Sequence, residues 1–186
     1  MTKPYYITTP IYYINAAPHI GHAYTTIAAD VLARHVRGRG RDARLLTGTD
    51  EHGQKIEDAA KAAGKHVMDF CDQTSAKFRD LWSHLDIRHD DFIRTTEPRH
   101  SECVQKVFAS LQESGDICKG RYEGFYCVSC ETYFTATEAP EKEGKRSCPN
   151  TDCGKPLQVV AEESYFFKLS SYQKPLLALY TAKPAF

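Results

Sequence analysis

Two sets of residues in this chain have types and spacings that could do chemistry. The first is His19-Ile20-Gly21-His22, with two imidazoles three residues apart around a glycine. Such a pair can hold a metal, hold a phosphate, or merely pack a turn. A metal needs at least a third ligand, and His52 is the one obvious candidate, since the helical His-Glu-x-x-His pattern is absent. A phosphate suits the position better. Gly21 lets the backbone approach a ligand, the helix expected to begin here aims its unpaired N–H groups and positive dipole end at the loop, and imidazoles can donate to oxyanions.

The second set is Cys127-x-x-Cys130 followed, after seventeen residues, by Cys148-x4-Cys153-Gly154. Two short cysteine turns can fold together around one tetrahedral zinc ion. The second pair is wider than usual and needs a bulged turn, for which Pro149, Asn150 and Gly154 are suitable. Four thiolates leave no position open for water, so one zinc per chain, with a structural role, is expected. The alternative is four ordinary buried thiols without metal. Seven cysteines are an odd number, and this pairing favours metal over a disulfide framework. Cys71 and Cys103 lie in helical contexts and read as core thiols, while Cys118 stands alone.

The elements that must carry these residues follow from hydrophobic periodicity. Tyr5 to Thr9 reads as a strand. From Gly21, Tyr24, Ile27, Ala28, Val31, Leu32 and Val36 recur at helical spacing up to the Arg37-Gly38-Arg39-Gly40 stop. Ala43 to Thr47 reads as a second strand, residues 48–53 as a loop, and Ile56, Ala59, Ala60 and Ala63 as one face of a helix. A longer helix carries Val67, Phe70, Cys71, Phe78, Leu81, Trp82 and Leu85. After a short apolar segment at Phe92 and Ile93, Pro98 opens another with Val104, Val107, Phe108 and Leu111. Strands alternating with helices imply an α/β fold with a parallel, doubly wound sheet. The histidine loop then lies at the carboxyl end of the first strand, where such sheets bind ligands. After Gly115 the character changes. Residues 117–160 form a smaller module rich in Gly, Cys, Tyr and charge, with EAPEKEGKRS its most solvated piece. Glu162 to Ser171 reads as a strand, and Tyr172 onward as a helix running to Phe186.

The 186 residues carry 24 Lys and Arg against 24 Asp and Glu, so no global basic field recruits nucleic acid. The first fifteen residues are too often interrupted by polar groups for a signal peptide, and no stretch approaches the roughly 18 apolar residues of a membrane span. A soluble, cytoplasmic chain with no membrane partner is expected.

Four ordered blocks then resemble a known family. His19-Ile20-Gly21-His22, preceded by Pro10-Ile11-Tyr12-Tyr13-Ile14-Asn15, is similar to the HIGH signature of class I aminoacyl-tRNA synthetases in its methionyl form. Gly48-Thr49-Asp50-Glu51-His52-Gly53, Phe125 to Glu131 and Glu163 to Ser170 agree in order. The resemblance implies a Rossmann-type catalytic domain that forms methionyl-adenylate from methionine and ATP with Mg²⁺, then passes methionine to tRNA(Met). It implies that His19, Ile20, Gly21 and His22 bind ATP, with His19, Gly21 and His22 catalytic. Ile11, Tyr13 and Asp50 would bind methionine, Asp50 at its ammonium group. Helix capping stays open as an alternative role for Asp50, and simple packing for Tyr13.

On the same resemblance, residues 1–115 would be the first half of the Rossmann-type domain. Residues 116–163 would be a connective insertion with the zinc knuckle of Cys127, Cys130, Cys148 and Cys153, and residues 164–186 a return toward the catalytic domain. The family's KMSKS loop and anticodon-binding domain have no counterpart in this sequence; Lys168-Leu169-Ser170-Ser171 is only a faint likeness of the former. A fragment inactive on its own is therefore expected. The alternatives are a non-catalytic, zinc-stabilised tRNA- or nucleotide-binding module and a small nucleotidyltransferase of the wider HIGH-type superfamily.

Overall fold

The structure, a computed structural model, describes residues 4–139, 141 and 144–184. Pro140, Lys142 and Glu143 of the solvated EAPEKEGKRS run lie outside the described residues, as does Phe186 at the expected end of the last helix. The chain divides into two compact units, Met1–Cys103 and Val104–Phe186.

The first unit is a parallel sheet with helices. β1 (Tyr5–Thr8) and β2 (Tyr12–Tyr13) pair with the two ends of β3 (Ala43–Asp50), and β4 (Asp91–Arg94) pairs with its middle. Leu46 is opposite both Thr8 and Asp91, and Thr49 opposite both Tyr12 and Arg94. β1 and β2 therefore share one edge of β3, and β4 takes the other. Pro10, which has no N–H to give, stands in the gap between β1 and β2. Thr9 bridges it, its N–H donating to the Leu46 carbonyl and its hydroxyl to Thr47 Oγ1 at 2.8 Å. The helices are α1 (Ile20–Gly38), α2 (Gln54–Ala62) and α3 (Val67–His84), and α4 (Pro98–Glu113) follows β4. Ile7, Tyr12, Ile14, Leu45, Ile56, Cys71, Phe78, Trp82, Ile87 and Phe92 form the core.

The expected α/β architecture is present, with four differences of detail. The second strand runs on through Asp50, because β2 supplies partners for Thr49 and Asp50; residues 48–50 are sheet, not loop. The segment at Phe92 and Ile93 is a strand. Most of the expected apolar stripe of α1 faces outward: Tyr24 is 77% and Val31 59% exposed, and Val36 alone of it is buried, alongside Thr26, Asp30 and Ala33. Cys71 is a core thiol as expected, but Cys103 is exposed.

In the second unit, β5 (Ile117–Cys127) and β7 (Gln158–Phe167) pair antiparallel along ten residues, and β6 (Thr132–Phe134) pairs with the end of β5. Gly120 lies under the Phe166 ring and Gly124 under that of Tyr122, so two glycines of β5 are covered by aromatic side chains. The last strand ends at Phe167; Leu169–Tyr172 is a 3-10 turn and α5 (Gln173–Ala182) follows. Lys168 to Ser171 is thus a strand exit, held by the Lys168 N–H donating to the Asp116 carbonyl. Among the described residues, no helix is long and apolar enough to cross a membrane.

Candidate active site and metal centre

The histidine turn is built by its own side chains. His19 is the N-cap of α1, and its Nδ1 accepts the Gly21 N–H at 3.1 Å. His22 Nδ1 accepts the His19 N–H at 3.2 Å, which closes a capping box of two imidazoles. Two donors expected to be unpaired at this helix end are therefore satisfied from within. With Nδ1 accepting, a neutral ring carries its proton on Nε2, so each histidine keeps one donor. The rings stack at 3.8 Å. A Cβ on Gly21 would come within 3.0 Å of the His19 ring, so the glycine makes room for the cap itself. Burial, and then repulsion from His19, push the His22 pKa below its ordinary value. His52 donates its Nε2–H to the Thr95 carbonyl at 3.2 Å, and among the described residues no metal-binding group includes any of these histidines.

Tyr13 and Asp50 are cross-strand partners at the carboxyl ends of β2 and β3, and Ile11 precedes that pair. Ile11 and Tyr13 are exposed, and Lys55 lies over the Tyr13 ring at 5.8 Å. The Asp50 carboxylate makes no hydrogen bond or ion pair among the described residues. It does not cap α2, whose N-cap is Gly53 with no side-chain bond. Its neighbour Glu51 differs in every respect. Glu51 is buried, its carboxylate accepts from Arg94 Nε (2.7 Å) and Nη2 (2.9 Å), and Thr49 and Thr96 donate to it at 2.6 Å each. Burial pushes its pKa up, but these four bonds outweigh that and hold the carboxyl below its ordinary range. Of two adjacent acids, one is paired within the fold and the other has no side-chain partner among the described residues.

In the second unit the sulfurs of Cys127, Cys130, Cys148 and Cys153 all lie within 4.8 Å of one another. The Cys127–Cys153 and Cys130–Cys148 separations are both 3.7 Å. That is far from the bonded distance of about 2.05 Å in a disulfide. It matches the edge of about 3.8 Å of a sulfur tetrahedron whose metal–sulfur distance is about 2.3 Å. The wide second turn closes as its residues suggest: the Asn150 carbonyl accepts from the Cys153 and Gly154 N–H groups, Asn150 Oδ1 accepts from Asp152, and Gly154 takes φ +58°. Without an ion the four thiols share their protons unevenly: the Lys155 backbone draws Cys153 below its ordinary pKa, while the hydrogen bond to Cys153 pushes Cys130 up and burial pushes Cys148 up. The donor set fits a zinc ion.

The family model described as "tRNA synthetases class I (M)" matches residues 5–185. The chain belongs to that family. It is 50% identical to the methionine–tRNA ligase of Thermotoga maritima over 182 residues, 98% of this chain and 29% of that protein. It is also 50% identical to that of Fusobacterium nucleatum over 188 residues, 100% of this chain and 28% of that one. A solved structure of Mycobacterium tuberculosis methionyl-tRNA synthetase in complex with methionyl-adenylate matches at 43% identity with a TM-score of 0.89, over 100% of this chain and 36% of that one. The free-state structure of the same enzyme matches with a TM-score of 0.71. The chain thus spans less than a third of the length of these curated relatives.

In this class I synthetase chain, sequence reasoning missed the groups that fix the site. Arg94 ends β4, and Thr95 and Thr96 lie in the turn directly after it. Besides the bonds to Glu51, Thr95 Oγ1 accepts the Glu51 N–H at 2.9 Å and the Thr95 N–H donates to the Thr49 carbonyl. The signal available was the polar run Arg94-Thr95-Thr96 directly after an apolar segment, which is how a strand end enters a site. Without Phe92 and Ile93 recognised as a strand, nothing placed that run beside residue 51.

Proposed function

We propose that the complete protein carrying this chain is a methionine–tRNA ligase. It activates methionine with MgATP, the methionine carboxylate oxygen attacking the α-phosphorus as pyrophosphate leaves, and then transfers the methionyl group from the adenylate to a terminal hydroxyl of tRNA(Met) as AMP leaves. In this reading His19 and His22, with Gly21 and Ile20 in the same turn, meet the ATP phosphates. Two Nε2–H donors at a helix N-terminus stabilise charge that builds on the transferring phosphate without forming a covalent enzyme intermediate. Ile11 and Tyr13 line the methionine pocket and Asp50 pairs with the ammonium group. Residues 1–115, 116–163 and 164–186 act as the first Rossmann half, the connective insertion and the return to the catalytic domain, in a cytoplasmic enzyme. Cys127, Cys130, Cys148 and Cys153 hold one zinc ion, which ties the module together and does no chemistry.

The observation that carries the reading is the contrast at positions 50 and 51. A carboxylate without a side-chain partner among the described residues, at the carboxyl ends of parallel strands and beside a neutralised neighbour, suits a cationic ligand group. Methionine-dependent ATP–pyrophosphate exchange tests it. The complete protein is expected to catalyse exchange, and Asp50→Ala to raise KM for methionine about a hundredfold with KM for ATP little changed, as for a lost charge-assisted bond. The 186 residues alone are expected to give none. Exchange with an amino acid other than methionine, or an unchanged methionine KM in the variant, would count against the assignment.

A further inference from the structure

The ring of His22 is held from more sides than its capping bond accounts for. Tyr12 from β2 meets it at 4.8 Å and Phe78 from α3 at 5.2 Å, and Tyr12 and Phe78 stack on each other at 5.8 Å. Phe78 is fully buried and packs in turn on Trp82. The backbone of His22 is tied to the same wall. The Thr26 hydroxyl donates to the His22 carbonyl at 3.0 Å and shares a 2.8 Å hydrogen bond with the Tyr12 hydroxyl, which also lies 3.5 Å from that carbonyl.

We propose that Tyr12 and Phe78 are positioning residues for His22, two core rings that fix its imidazole with Nδ1 on the His19 amide and Nε2–H as its one donor. The inference rests on the proposed role of His22 at the ATP phosphates, and extends it to residues that touch no substrate. A half-buried imidazole with only a backbone N–H to hold it could turn over or exchange tautomers. Two aromatic rings packed against its core side, tilted 54° and 53° to it, remove the space for that rotation. They also keep water from that side, which disfavours the imidazolium. The titratable groups facing the ring are His19 in its own turn and the Tyr12 hydroxyl from β2; α3 presents the uncharged Phe78. Neither His19 nor a phenol favours the charged form, so the clamp yields a neutral donor that needs no reorganisation on meeting a phosphate.

The test is nitrogen NMR of the imidazoles in this chain. Wild-type His22 is expected as the Nε2–H tautomer at neutral pH, titrating below the ordinary value of about 6.5. The Nδ1–H tautomer, or titration at or above that value, overturns the proposal with no variant needed. Phe78→Leu keeps an apolar core residue but opens space beside the ring. It is expected to give a mixture of tautomers and a titration moved back toward about 6.5. An unchanged His22 in a variant with native β1 and β3 amide signals also overturns it. In the complete protein, Phe78→Leu is expected to lower kcat for methionine-dependent exchange by about tenfold or more, at a methionine KM within about twofold. A raised KM with unchanged kcat would mean that Phe78 serves the fold alone. MgATP added to the complete protein, read at His22 Nε2, tests the ATP role separately. Silence there counts against the proposed function and leaves the clamp standing on its own measurement.

Discussion

The pair Asp50 and Glu51 shows how far one position can move a side chain's role. Successive strand residues point to opposite faces, so at the end of β3 two neighbouring acids meet different surroundings. Glu51 goes inward, where an unpaired carboxylate would be very costly, and Arg94 with two threonines neutralises it. Removing one partner of such a pair is worse than removing both. Arg94→Ala is therefore expected to destabilise the first unit by about 3 to 5 kcal/mol in urea unfolding, and Arg94→Met with Glu51→Gln by clearly less. The pH dependence has a definite sign. The folded-state pKa of Glu51 lies below the unfolded value near 4.5, so its contribution is present above that value and is lost as pH falls through the folded-state pKa. Glu51→Gln should flatten the stability–pH curve in that acid window alone. A curve parallel to wild type would show that the network does not couple to folding.

The central element is β3, which has neighbours on both edges, and Gly48 in its middle explains how closely they approach. A Cβ at Gly48 would overlap the Ile93 carbonyl oxygen and crowd the Ile93 side chain. Backbone cannot swing away as a flexible side chain can, so Gly48→Ala must push β4 from β3 and lengthen the Leu46–Thr49 to Asp91–Arg94 pairing. The expected cost is about 1 to 3 kcal/mol, the range for overpacking. Hydrogen exchange should show lost protection in β4, with β1 protected as in wild type; uniform protection would place the strain elsewhere. This element also marks the limit of the sequence. Strand–helix alternation and the buried stripe of α3 were legible, because period and burial coincide at Cys71, Phe78 and Trp82. α1 misled, because its most apolar face is exposed and Thr26, Asp30 and Ala33 face inward. Thr26 is tied to Tyr12, and Asp30 accepts from Arg34 Nε and the Arg88 N–H, so its buried face is partly polar for reasons of specific pairing. Periodicity registers how apolar a face is, and these pairings lie up to 58 residues apart in sequence. The four cysteines were legible for the opposite reason: metal spacing is local, and each half of the site is one turn.

At the scale of the whole chain, the two units rest on different physics. The first has a hydrophobic core drawn from every one of its helices and strands up to Phe92. In the second, the only buried apolar side chains among the described residues are Cys127, Ala139 and Cys148. Two of those three belong to the four-cysteine group that could hold a metal ion, so the interior of that unit is largely that cluster. A module of this size buries too little to be stable by area alone, and the binding free energy of a structural zinc ion is then folding free energy. Purified chain is expected to carry one zinc. Chelation should collapse amide protection at the knuckle end of the β5–β7 ladder, around Phe125 to Cys127 and Gln158 to Val160, while β1 and β3 stay protected. Cys148→Ser should reproduce that pattern, since it leaves three thiolates and a weak fourth ligand. The ladder toward Ile117 and Phe167 should be less affected, because its aromatic cover on Gly120 is independent of the sulfurs. Native protection throughout the second unit in metal-free protein would mean that the tetrahedron of sulfurs forms without its ion.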